Sequence, residues 1–339
     1  MRSRLWASHP LPNLRWWALL AGLLAAAPAP AAQQPAPTTA CADEAADCKA
    51  WARLGQCEAN PRYMKVKCSA SCDTCDWAVF EERCALDPAA ISAVAPGDME
   101  AMFSRLTTSA AYASYKPYVV SRDPYVVVLD EFMSADEADA IVDIAQRDGG
   151  KHFVSSESSA GTQGKGEIKP VVSQHRTSST QWCADGCWNE SAVARIRERV
   201  AAITGVPISH AEAPQLLKYH PGQAFQMHHD YIPLQKGLPC GPRVYTFFLY
   251  LSDVEEGGHT HFQRLGVAVR PKKGRAVLWP STLNEAPDEI DMRTVHSAEA
   301  VLRGVKISAN IWVHTHNYLA ARDRTCVGSV PPAPPSPEQ

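Results

Sequence analysis

Tyr245-Thr-Phe-Phe-Leu-Tyr-Leu251 constrains the fold of this 339-residue chain more than any other stretch. It is apolar on both faces, so it reads as a central strand with no side left for water. Such a strand needs partners beside it and cover above and below. Short segments separated by Gly and Pro turns supply the partners: Pro214–Tyr219, Phe225–Tyr231, Thr260–Phe262, Val267–Arg270, Arg275–Trp279 and Val305–His314. Tyr125–Leu129 reads as a further strand. Helices come before most of these. Ser134-Ala-Asp-Glu137 is a capping box that opens a helix ending at Gly149-Gly150, with Ala138, Ile141, Val142 and Ala145 on one face. A second helix starts near Asn189, carries Val193, Ile196, Val200 and Ile203 as a stripe, and stops at Gly205. The fold class expected is α+β, a double-sheet jelly roll with supporting N-terminal helices. Residues 77–123 read as a connecting segment, and the Gly/Ser-rich stretch 155–166 as a mobile surface loop.

The amino-terminal part has a different character. Arg2, Arg4 and Arg15 precede an apolar run, Trp16 to Ala27, followed by small residues up to Ala32. This is the pattern of a secretory signal peptide over residues 1–32, with an uncleaved signal anchor as the alternative and the only route to a membrane. Residues 33–40 form a Pro/Ala linker, and residues 319–339 a Pro-rich, disordered tail. Eleven cysteines, six of them between Cys41 and Cys75, point to an oxidising compartment such as the endoplasmic reticulum, the Golgi lumen or the cell exterior. A net charge of −3 provides no basic field for nucleic acid.

Chemistry concentrates at Phe225-Gln-Met-His-His-Asp-Tyr231. On a strand, His228 and Asp230 face the same side, and His229 faces the other. An imidazole and a carboxylate so placed are two parts of a 2-His-1-carboxylate iron site, which leaves coordination positions open. A second histidine, His296, stands in Thr294-Val-His-Ser297, and Lys306 follows ten residues later. Asp253-Val-Glu-Glu-Gly-Gly-His-Thr-His-Phe262 lies between the two motifs, so His259 and His261 are rival ligands to His296.

Two families are resembled. Cys41, Cys48, Cys57, Cys68, Cys72 and Cys75, set among Trp51-Ala, Asn60-Pro-Arg-Tyr-Met64 and the closing Cys-x3-Cys-x2-Cys, resemble the ShK-toxin-like (ShKT) domain over residues 41–75. That resemblance implies bridges Cys41–Cys75, Cys48–Cys68 and Cys57–Cys72, whereas the sequence alone permits fifteen pairings. From about Tyr125 to His316 the chain resembles the prolyl 4-hydroxylase branch of the iron- and 2-oxoglutarate-dependent oxygenases, with a domain over residues 124–318. The resemblance implies that His228, Asp230 and His296 ligate Fe(II), and that Lys306 pairs with the distal carboxylate of 2-oxoglutarate. It also implies that Tyr219 and Thr260 hydrogen-bond that co-substrate, that Trp312 lies beside it, and that Arg243 and His314 line a peptide groove. Where the family carries a tyrosine, this chain carries Phe225, and a hydroxyl for the peptide is missing.

The resemblance implies a dioxygenase that uses O₂ and 2-oxoglutarate, is supported by L-ascorbate (vitamin C), and releases succinate and CO₂. The expected partner is a proline-rich or collagen-like peptide converted to 4-hydroxyproline, with the oligomeric state open. The alternatives are the same chemistry on another side chain, such as lysine, or a secreted ShKT-containing binding protein with an inactive jelly roll. Cys183 and Cys187 are expected to close a small loop. Cys84, Cys240 and Cys326 leave one thiol unpaired.

Overall fold

The computed structural model describes residues 41–163, 167–172, 174–184, 186–327 and 333–337. The expected signal segment and linker lie outside the described residues, as do 328–332 and 338–339 of the expected tail.

Sixteen strands occur among the described residues: β1 Pro117–Arg122, β2 Tyr125–Leu129, β3 Val154–Ser155, β4 Glu157–Gln163, β5 Glu167–Val172, β6 Ser179–Trp182, β7 Gln215–Tyr219 and β8 Phe225–His228. They continue as β9 Arg243–Tyr250, β10 Glu256–Gly257, β11 Thr260–Phe262, β12 Val267–Val269, β13 Ala276–Pro280, β14 His296–Ala298, β15 Val301–Arg303 and β16 Lys306–His314. Eight of them form the major sheet, in the order β1-β2-β13-β9-β16-β7-β6-β3. A minor sheet, β12-β11-β14-β8, faces it, and β10 pairs with β15. This is the expected double-stranded β-helix, with β9 at its centre and buried at every position.

Alternation along the central strands sorts side chains between two cores. On β16, Ile307, Ala309, Ile311 and Val313 join Phe247 and Leu249 of β9 beneath the helices. Those helices, Asp98–Thr108, Ala135–Gln146 and Ser191–Thr204, contribute Phe103, Leu106, Ile141, Ile196 and Val200. The opposite side chains of the same strands point between the two sheets, where Tyr219, Phe248, Tyr250 and Trp279 meet Phe262, Val269 and Ala298 from the minor sheet. The capping box at Ser134 and Glu137 forms as expected, with both reciprocal hydrogen bonds. Gly205 ends its helix in the left-handed conformation, at φ 74°.

Five disulfides are present: Cys41–Cys75, Cys48–Cys68, Cys57–Cys72, Cys183–Cys187 and Cys84–Cys326. Cys240 is the free thiol, and it is buried. The first three bridges enclose a small core of Trp51, Met64 and the cysteines themselves, as a module too short for a conventional core requires.

Several expectations need correction. Residues 319–327 are not a disordered tail: Tyr318–Asp323 is a helix capped by Asn317, and Cys326 is bridged across 242 residues to Cys84. Part of the stretch 155–166 belongs to a β4–β5 hairpin rather than a loop, since ladder pairing of backbone groups needs no apolar period. Within the connecting segment, Pro117–Arg122 is an edge strand of the major sheet.

Candidate active site

The space between the sheets holds one cluster of potential metal ligands among the described residues: His228, Asp230 and His296, whose donor atoms lie within 4.8 Å of one another. β14 pairs with β8 so that His296 stands opposite His228, and the chain bends after His228 to bring Asp230 in. The strand therefore ends three residues earlier than its sequence pattern indicated. Even so, the Asp230 carboxylate is 3.9 Å from His228 Nε2 and 3.7 Å from His296 Nε2. Each Nδ1 lies beside a main-chain carbonyl, Gln226 O at 2.8 Å for His228 and Thr294 O at 3.0 Å for His296. Carbonyls only accept, so Nδ1 donates in each case and Nε2 presents its lone pair to the centre.

Electrostatics supports the same arrangement. Burial holds the His228 pKa down at about 3, with His296 adding to the effect, so the ring is neutral and free to ligate. Burial would raise the Asp230 carboxyl, but His296, His228 and Arg243 outweigh it and bring the value to about 2. Thr246 donates a hydrogen bond to the Asp230 carboxylate at 2.7 Å and fixes its orientation. Phe225 stacks on the His228 ring at 3.6 Å, and the Arg176 guanidinium lies over Phe225. The aromatic ring at this position thus backs an iron ligand without needing a hydroxyl.

Lys306 is the second centre of the site. Its side chain is 0% exposed and makes no salt bridge among the described residues, with Glu299 acting on it only at longer range. Nζ donates to Gly258 O at 2.7 Å, and the rings of Tyr219, Phe248 and Tyr250 surround it at 5.0–5.4 Å. Burial lowers its pKa to about 7. An ammonium has three donors, so this one keeps capacity for an anion. The hydroxyl of Ser308 and the indole N–H of Trp312, on the same face of β16, have no hydrogen-bond partner among the described residues. Unsatisfied buried polar groups are rare and call for an explanation. Thr260 accepts a hydrogen bond from Tyr250 at 2.7 Å, and Tyr219 bonds Ser178 nearby. A three-ligand N/O site with open positions fits Fe(II), and a buried cation among unpaired donors fits a dicarboxylate.

The remaining candidates fall elsewhere. His259 and His261 both direct Nδ1 to Glu299, at 3.5 and 3.0 Å, outside the ligand cluster. His229 bonds Asp291 O and supports the turn to Tyr231, the structural role that its strand face indicated. Arg243 and His314, expected to line a peptide groove, are both buried and share the Glu212 carboxylate. His314 is fully buried, with Nε2 2.8 Å from Glu212 and Nδ1 2.8 Å from Gly241 O. Arg243 is committed to the Glu212 carboxylate, and it reaches Asp230 O at 3.3 Å while stacking on Trp312. These two residues brace the turn that carries a metal ligand.

Glu212 is the residue that sequence reading missed, since one acid before a strand gives no signal of its partners. Burial would raise its carboxyl, but Arg243 and His314 hold it at about 2. Glu212→Gln leaves the Arg243 guanidinium buried without its counter-charge and is expected to lower stability by about 3–5 kcal/mol, measured by urea unfolding.

These features define an Fe(II)- and 2-oxoglutarate-dependent dioxygenase. Residues 214–314 match the profile of the 2OG-Fe(II) oxygenase superfamily, and residues 40–75 match a ShK domain-like profile. The chain is 34% identical over 216 residues to prolyl 4-hydroxylase 1 of Arabidopsis thaliana, covering 58% of this chain and 71% of that one. It is 29% identical over 220 residues to probable prolyl 4-hydroxylase 10 of the same plant, covering 59% and 72%. A viral collagen prolyl hydroxylase of Paramecium Bursaria Chlorella virus-1, solved as a 2OG complex, aligns with 58% of this chain and 99% of its own at 23% identity and a TM-score of 0.45. The chain belongs to the prolyl 4-hydroxylase family of 2OG-Fe(II) oxygenases. Its disulfide-rich ShK-like module fits the secretory pathway or the extracellular space, and among the described residues no helix is long and apolar enough to cross a membrane.

Proposed function

We propose that this enzyme hydroxylates peptidyl proline to 4-hydroxyproline in proteins of the secretory pathway. The observation that carries the reading is Lys306, a buried amine that forms no salt bridge among the described residues, on the same interior as the His228–Asp230–His296 cluster. Bound Fe(II) with 2-oxoglutarate and O₂ supplies the oxidising chemistry, with succinate and CO₂ as co-products. The protein contributes geometry. His228 and His296 offer Nε2 and Asp230 its carboxylate to the ion, while Thr246 holds that carboxylate in one orientation. Lys306 neutralises the distal carboxylate of the co-substrate, with Tyr219, Thr260, Ser308 and Trp312 as polar neighbours in a site sheltered from water.

The substrate class comes from the names of the relatives, which are prolyl 4-hydroxylases. In this reading residues 1–32 are a signal peptide or anchor and 33–40 a linker. Residues 41–75 are an ShKT module, 77–123 connect it, and 124–318 form the catalytic domain. L-ascorbate would be the reductant that supports the iron this site would hold.

The test is succinate release from 2-oxoglutarate across proline-rich and collagen-like peptides, with mass spectrometry of the peptide. Peptide-dependent turnover that adds one oxygen to proline is expected. Turnover that is indifferent to the peptide, or oxygen added to lysine, would overturn the assignment.

A further inference from the structure

The ShKT module and the end of the chain meet, although 284 residues separate the contacting positions. Trp51, on the helix Cys48–Arg53, donates its indole N–H to Pro335 O at 2.8 Å. The preceding residue, Pro334, is buried, whereas Pro335 itself is exposed. Tyr63, on the helix Pro61–Lys67, sets its ring at 87° to Trp51, with centroids 5.9 Å apart. Pro334 is thus buried directly before a residue whose carbonyl accepts from an indole N–H.

Those are the elements by which proline-rich peptides are recognised. Proline lacks an N–H, so in such a segment the carbonyls have no internal donors and remain free to accept. An indole N–H, donor only, beside a second ring satisfies one carbonyl while the rings cover the pyrrolidine edges. In the sequence Pro331-Pro-Ala-Pro-Pro-Ser-Pro337, Pro334 and Pro337 are three residues apart, the spacing that puts residues on one edge of an extended proline helix.

We propose that the Trp51–Tyr63 face of the ShKT module is a binding site for proline-rich peptide, occupied in this chain by its own carboxyl-terminal segment. The occupant is held at an effective concentration in the millimolar range, so a free peptide must displace it. The site delivers substrate to the oxygenase domain only if the hydroxylase reading holds; the binding itself does not depend on that reading.

The experiment uses iron-free protein without 2-oxoglutarate, so that binding is read apart from catalysis. Fluorescence anisotropy of a labelled Pro-Pro-Ala-Pro-Pro-Ser-Pro-Glu-Gln peptide is measured with the full chain and with a chain ending at Val327, which keeps Cys326 and its bridge. The shortened chain is expected to bind at least about tenfold more tightly, because the competing segment is gone. In the shortened chain, Trp51→Phe keeps a ring but removes the N–H, and it is expected to weaken binding about fivefold, the worth of one hydrogen bond. Equal affinity of the full and shortened chains, or no binding to either, overturns the proposal. That comparison alters no residue of the module, so a misfolded Trp51→Phe protein would not obscure it.

Discussion

His296→Ala is expected to lose Fe(II) by more than about 100-fold and to stop peptide-dependent succinate release, whereas His259→Ala and His261→Ala retain both. Of these three histidines, only His296 directs Nε2 at the Asp230 carboxylate, 3.7 Å away. Its Nδ1 is anchored on Thr294 O and its ring packs against Trp279 and Phe262, so the lone pair is aimed before any ion arrives. Alanine at this position removes a third of the ligand set. That loss should exceed the roughly 10–100-fold effect typical of outer-shell changes. His259 and His261 are half-exposed and face Glu299, so their removal touches neither the ion nor its supports. Anaerobic Fe(II) titration by equilibrium dialysis decides the matter. Loss of iron binding in His259→Ala with His296→Ala unaffected would reverse the ligand assignment.

The ligands could be read from the sequence because each lies in a short motif whose spacing survives small errors in strand limits. β8 ends at His228, so Asp230 reaches the site through a bend and not through the pleat that the sequence implied. The inference about convergence was correct, although the geometry behind it was different. β16 was legible for a stronger reason. Its alternation puts Ile307, Ala309, Ile311 and Val313 under the helices and leaves Lys306, Ser308 and Trp312 on the interior face. The same alternation could have pointed to Ser308. β3, β10, β14 and β15 are two or three residues long, too short to carry a period, and are visible only through their partners. The Glu212 partner of Arg243 was not legible because a strand position specifies a face but not a partner. Glu212, which determines where that guanidinium goes, sits 31 residues earlier.

Lys306→Met should have effects of opposite sign on co-substrate binding and on the stability of the unliganded enzyme. Without the amine, the distal carboxylate of 2-oxoglutarate would be buried with no counter-charge. Breaking a buried pair in this way costs about 3–5 kcal/mol, which corresponds to a Kd raised about 150- to 4,000-fold. The free enzyme, by contrast, carries the cost of an amine among the rings of Tyr219, Phe248 and Tyr250, and methionine fills similar volume without it. Stability should therefore rise by at least about 1 kcal/mol, or some 2–4 °C in Tm.

The pH dependence follows from the same depressed pKa. Below about pH 7 the amine is already charged and can receive the anion. Above that value a proton must be taken up on binding, so apparent 2-oxoglutarate affinity should fall by up to about tenfold per pH unit. Folding responds in the other direction. The unfolded chain keeps its lysine protonated up to its ordinary pKa near 10.5, so the wild type should gain stability from about pH 7 towards that value, and Lys306→Met should lack this gain. Calorimetric titration in buffers of different ionisation enthalpy measures the proton uptake directly. Wild-type binding at pH 8 with no proton taken up, or a methionine variant that binds 2-oxoglutarate normally, would show that Lys306 is not the residue receiving the co-substrate.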